Sequence, residues 1–120
     1  MNDILACLGF PLPAAFEFRH PGWWNDAVMK ALASSRHQFC SVHAPGLPDQ
    51  LVAGQGIYLR MHGIPWYRKD YSDMELAQWA ERIRGSHTGE AWIYFNNDFA
   101  AAAPRNAMRL SELLMDAGHA

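Results

Sequence analysis

Apolar and polar positions change their period several times along the chain, and each change marks an expected element. Asp3 to Leu8 reads as a short helix, stopped by Gly9 and then by Pro11 and Pro13. From Ala14 to Arg19 the pattern alternates residue by residue, as in a strand with two unlike faces. A helix is predicted over about Asn25 to Ser35, then strands over Gln38 to His43 and Gly56 to His62. Between those strands, Pro45, Gly46, Pro48 and Gly54 break every regular period, so the connection is expected to lack a helix. Ser72-Asp73-Met74-Glu75 has the form of a capping box, in which serine and glutamate each satisfy a free backbone donor. It opens a helix with Leu76, Trp79, Ala80 and Ile83 on one face, ended by Gly85. A fourth strand, Ala91 to Asn96, leads through the loop Ala100 to Ala103. Pro104 comes next as the expected first residue of a helix that aligns Ala107, Leu110 and Leu114.

Strand and helix therefore alternate, which implies a parallel sheet in an α/β fold. Phe16 and Phe18 oppose Glu17 and Arg19; Ile57, Leu59 and Met61 oppose Tyr58, Arg60 and His62; Ile93 and Phe95 oppose Trp92, Tyr94 and Asn96. In the second strand Cys40 and Val42 oppose Phe39, Ser41 and His43, and the sequence suggests that the latter three join the polar face. One apolar face and one polar face per strand suit a (β/α) barrel, with helices outside and a lined interior. A doubly wound sheet would need both faces apolar. The competing expectation is an ordinary sheet whose strand-end polar groups only cap and pair.

Composition narrows the reading. Half of the 120 residues are apolar and 18% are charged, as in one globular domain spanning 1–120. A net charge of -2 and no basic run argue against nucleic acid and against a polybasic membrane patch. No stretch approaches the roughly 18 apolar residues of a membrane span, so the cytoplasm is the expected compartment. Cys7 and Cys40 have no metal-ligand or redox spacing and are read as reduced, buried side chains.

Three strings, Ala15-Phe16-Glu17-Phe18-Arg19-His20-Pro21-Gly22-Trp23-Trp24, Tyr58-Leu59-Arg60-Met61-His62-Gly63 and Tyr94-Phe95-Asn96-Asn97-Asp98, resemble signatures of the YecE-like family, catalogued as domain of unknown function 72. Tyr67, Tyr71-Ser72-Asp73, Leu76, Trp79-Ala80, Ile83, Asn106-Ala107 and Leu110 extend the resemblance over nearly the whole chain. Members of that family resemble a full TIM-like barrel. The resemblance implies that this chain, about half of the roughly 250 residues such a barrel takes, corresponds to its C-terminal half, with about four parallel strands and helices on the outer face. His43 stands where the family is expected to have an acidic residue.

Glu17, Arg19, Arg60, His62, Tyr94 and Asn96 fall at or near strand C-terminal ends, where barrel enzymes place substrate and catalytic groups. Two arginines in one cavity match phosphate or carboxylate oxygens in bidentate geometry, and Glu17 and His62 are then candidates for base and acid. His20, Tyr67 and Asn97 complete the candidate ligand-binding set. His20, His62 and Asn97 have a local alternative as capping or turn groups, and Trp66 as a seal of the rim. Glu17, His43 and His62 have the types of metal ligands but no supporting spacing, so no metal is assigned, and no cofactor is named. Two functions are open. One is an enzyme or binding protein for a small anionic or phosphorylated ligand. The other is a non-catalytic half-barrel scaffold that assembles with a second copy of itself or with a partner half.

Overall fold

The computed structural model describes residues 14–35, 37–54 and 56–118; the helix expected at Asp3 to Leu8 lies outside them, as does Cys7. Four strands, β1 (Ala15–Glu17), β2 (Gln38–His43), β3 (Ile57–Met61) and β4 (Ala91–Phe95), pair in sequence order and all in parallel. Three helices, α1 (Asp26–Ala33), α2 (Asp73–Gly85) and α3 (Ala102–Gly118), lie on one side of this sheet. An open parallel sheet with helices on one face is a partial barrel, as the two-faced strands require.

Local chemistry sets the helix boundaries. The Asn25 side chain accepts the Val28 N–H at 3.0 Å and starts α1. Ser72 and Glu75 make the reciprocal capping box of α2, at 3.1 and 3.0 Å. The last helix begins at Ala102, two residues before Pro104, after a single 3₁₀ turn over Phe99–Ala101. A proline fits there because the whole first turn of a helix has N–H groups without an intrahelical acceptor. The described residues of segment 44–56 form no helix, as its prolines and glycines imply.

The outer face holds the core. Val28 and Leu32 of α1 pack on Phe39, Phe16 and Phe18, and Leu76, Trp79, Ala80 and Ile83 of α2 pack with Leu110 of α3 on Ile57, Leu59 and Met61. Each fully buried aliphatic side chain of this kind contributes about 1.5–3 kcal/mol relative to exposure.

The second strand corrects the sequence reading. Register pairs Glu17 with Cys40, Cys40 with Tyr58, and Val42 with Arg60, so Cys40 and Val42 share the inner face. Phe39, Ser41 and His43 face the helices instead. The cause is the helix-free crossover. Segment 44–56 takes the place of a helix over this part of the sheet and needs polar partners there, so the Ser41 hydroxyl accepts the Val52 N–H at 2.8 Å. His43 Nδ1 meets the Tyr71 hydroxyl at 2.5 Å, and its ring packs against Trp79. Phe39 fills the α1 interface, so it cannot line the concave face.

Candidate functional site

Parallel register puts Glu17, Tyr58 and Trp92 in one inner row and Arg60 beside Tyr94 in the next. From this scaffold the side chains at the strand C-terminal ends converge on one carboxylate. Glu17 Oε1 accepts from an Arg60 terminal nitrogen at 2.8 Å, and Glu17 Oε2 accepts from Arg19 Nε at 2.5 Å. Arg60 Nε donates to Asn96 Oδ1 at 3.2 Å, and His62 Nε2 stands 3.6 Å from Glu17 Oε1. The guanidinium of Arg19 lies 5.3 Å from the centre of the Trp66 ring, and the neighbouring Glu17 and Tyr67 side chains raise its pKa. Glu17, Arg19, Arg60, His62, Tyr67 and Asn96 therefore form one cluster, with Tyr94 adjoining it through Arg60.

Charge decides what this cluster can do. Burial pushes the Glu17 carboxyl up, but the Arg19 hydrogen bond and the charges of Arg60, Arg19 and His62 outweigh it and hold the group below the ordinary glutamate value. Burial lowers the His62 pKa, and the neighbouring glutamate only partly opposes that shift, so the imidazole is neutral near pH 7. Two guanidiniums against one carboxylate leave a net charge of about +1. The Arg19 and Arg60 side chains remain 51% and 32% exposed, so their outer donors are accessible.

His62 itself is fully buried between Trp66 and Tyr67, with ring centroids 5.3 and 5.4 Å away. Neither of its ring nitrogens has a hydrogen-bond partner within the protein. Its backbone is fixed from both directions, its N–H donating to His43 O and its carbonyl accepting from Tyr67 N. Tyr67 holds a left-handed φ of 63°, a conformation that disfavours a bulky side chain and that the bonds on either side of it maintain.

Two of the residues expected to bind ligand stand apart. The His20 Nδ1 accepts the Gly22 N–H at 3.0 Å and caps the turn Pro21–Trp23. Asn97 is buried behind the sheet end, donating to Lys69 O at 2.6 Å and to Asn106 Oδ1 at 2.7 Å. His43 lies on the other face from Glu17 and His62, so that trio is not assembled.

The inverted second strand adds two groups the sequence reading does not place here. The Cys40 thiol is 4.0 Å from Glu17 Oε1, with its pKa raised to about 12 by burial and by that carboxylate. Val42 packs below Tyr58 and Trp66 and makes the floor apolar. Trp66, expected as a rim seal, touches both Arg19 and His62; an aromatic residue after His62-Gly63 was the available signal. A cavity of about 320 Å³ opens elsewhere, between α1 and segment 50–54, lined by Leu32, His37, Phe39 and Val52. It sits at the N-terminal ends of the strands, the end that barrel proteins use for stability rather than chemistry.

The family model described as "Protein of unknown function DUF72" matches residues 1–120. This agrees with the resemblance seen in the strings around Glu17, Arg60 and Asn96. No curated protein matches. Among solved structures, a DUF72 family protein from Thermotoga maritima is similar with a TM-score of 0.76 and 24% identity, covering 88% of this chain and 47% of its own. Another from Enterococcus faecalis has a TM-score of 0.75 and 19% identity, covering 95% of this chain and 51% of its own. These likenesses show the shared fold, and the chain spans about half the length of these solved relatives.

Proposed function

The chain belongs to the DUF72 family, proteins of unknown function, and on that premise we propose that the cluster around Glu17 binds a small anionic or phosphorylated ligand. The observation that carries the reading is the pairing of two partly exposed arginines with a single carboxylate over an apolar floor. Glu17 orients Arg60 and Arg19 without neutralising both, so outer guanidinium donors are left for bidentate oxygens. Asn96 fixes Arg60 from its other side, and Trp66 stacks on Arg19. Such a site is organised before the ligand arrives.

Binding has more support than proton transfer through Glu17. A carboxylate held below its ordinary pKa is a weak base, and the neutral His62 ring is sealed between Trp66 and Tyr67 with its Nε2 3.6 Å from Glu17. The reading keeps the cytoplasm as its compartment, consistent with a reduced, buried Cys40. No helix among the described residues is long and apolar enough to cross a membrane.

Calorimetric titration of inorganic phosphate into the protein and into Arg60→Ala tests the proposal. The unsubstituted chain is expected to bind, and the variant to lose at least tenfold in affinity while keeping its circular dichroism spectrum. Equal affinities would remove the site.

A further inference from the structure

We propose that the cavity between α1 and segment 50–54 is a second binding site, for a small apolar molecule carrying one carbonyl oxygen that accepts from His37 Nε2. Its volume of about 320 Å³ is at the small end of the ~300–1,000 Å³ of ligand pockets. Leu32 and Ala33 of α1 form one wall, Phe39 of β2 the back, and Leu51 and Val52 the opposite wall. Among the described residues, the lining comes from residues 29–56 alone, and none of it is in the outer strands β1 and β4. The β2 strand behind the cavity is paired on both sides, with β1 and with β3. Consecutive elements from within the chain therefore make all of these walls.

One buried polar side chain selects the ligand. His37 lines the cavity and is only 2% exposed. Its ring is held on two sides: Nδ1 accepts the Ala14 N–H at 3.0 Å, and Phe16 meets it edge to face with centroids 5.5 Å apart. A ring nitrogen that accepts carries no proton, so the proton is on Nε2 and that atom is a donor. Nε2 has no hydrogen-bond partner within the protein. Buried donors are nearly always paired, and leaving one unpaired is costly. Water is a poor partner here, because a buried water is held by roughly two to four polar groups, whereas the walls are aliphatic and aromatic. An apolar body with a single carbonyl satisfies the donor and the walls together.

The cavity also has a way in. Gln50 reaches from the crossover segment to α1 and donates to the Met29 sulfur at 3.8 Å, and a thioether is a weak acceptor. Ala33 and Ala53, which line the cavity too, are exposed. Entry thus costs a weak contact, while the Val52 N–H bond to Ser41 Oγ, at 2.8 Å, keeps the far wall in place. The described lining holds neither carboxylate nor thiol, which suits binding rather than a reaction. This inference does not depend on the anion site, which lies at the other ends of the strands.

Acetophenone, titrated into isotope-labelled protein with backbone amide shifts as the readout, tests the site against α-methylstyrene, which has the same shape with a methylene in place of the carbonyl oxygen. Acetophenone is expected to bind with a dissociation constant on the order of 1 mM and to shift amides of residues 29–33 and 50–54. His37→Phe keeps a ring in place and removes the donor. It should weaken acetophenone about tenfold and leave α-methylstyrene within about twofold. Ala33→Trp, at an exposed position beside the opening, should weaken both probes at least tenfold, and it serves if the His37 variant loses its circular dichroism spectrum. Unmoved amides in those segments at about 10 mM acetophenone overturn the proposal. So does a His37→Phe variant that changes both probes equally or neither, and so do unchanged affinities in Ala33→Trp.

Discussion

Glu17→Gln separates an anion site from a network that only holds the sheet together. The substitution keeps shape and one acceptor oxygen but removes the charge that both arginines address. The Arg60 bond, at 2.8 Å to a carboxylate whose side chain is only 14% exposed, falls in the range of about 1.5–3 kcal/mol for charge-assisted hydrogen bonds. The Arg19 arm is half exposed and adds at most about 0.5–1 kcal/mol after solvent screening. A loss of about 2 kcal/mol is expected, which for 120 residues, with an unfolding entropy of about 0.25 kcal/mol/K, lowers Tm by about 8 °C. Glu17 has a depressed pKa, so its stabilisation is present above about pH 4.5 and is lost as pH falls through the lower folded value. The variant should therefore have a shallower acid limb in its stability profile. Phosphate affinity should move the other way. Removing one negative charge about 5 Å from a bound anion is worth about 0.8–3 kcal/mol between dielectric constants of 80 and 20, so binding should tighten about tenfold. Urea melts across pH and phosphate calorimetry read both effects. A variant that loses stability but binds phosphate no more tightly refutes the anion site and leaves a purely structural network.

Two further outcomes rest on groups outside the carboxylate–arginine pairing. Asn106→Ala should lower stability by about 3 kcal/mol in urea melts, because the buried amide accepts from Tyr71 N and Asn97 and donates to Asp70 and Tyr71 O, and alanine leaves several of these without partners. His43 and His62 both have pKa values lowered by burial, so the unfolded chain binds more protons below its histidine pKa of about 6.5. Stability should fall as pH drops from about 6.5, and His43→Gln should flatten that slope in melts at pH 5 to 7; an unchanged slope would contradict the assignment.

What the sequence conveyed about the fold depends on how each strand is buried. In β3 and β4 one set of alternate residues is apolar and packs under α2 and α3, so the alternation could be read directly. β2 is buried on both faces, with Phe39, Cys40, Ser41 and Val42 all below 5% exposure, so hydropathy carried no phase information. Its polar members turned outward because segment 44–56 and Tyr71 supply their hydrogen bonds, and those partners are distant in sequence. Strand-end position was enough to gather Glu17, Arg19, Arg60, His62 and Asn96. It could not separate Asn96 from Asn97, since adjacent residues leaving a strand point to opposite sides. Nor could it show that the His20 ring is already engaged with a backbone amide two residues ahead.

The two tiers of the cluster hang from different supports. Glu17 and Arg60 sit on hydrogen-bonded strands, whereas Trp66 and Tyr67 belong to a segment held by the chain beyond β4. Phe99 N donates to Tyr67 O, Asn97 to Lys69 O, and Asn106 of α3 to Asp70. Their opening free energies are therefore separable in principle: fluctuations that detach the start of α3 release the aromatic tier while the ladder beneath keeps its protons protected from exchange. If the cluster binds an anion as proposed, sequence drift along α3 would thus retune how long that ion stays without altering the groups around Glu17.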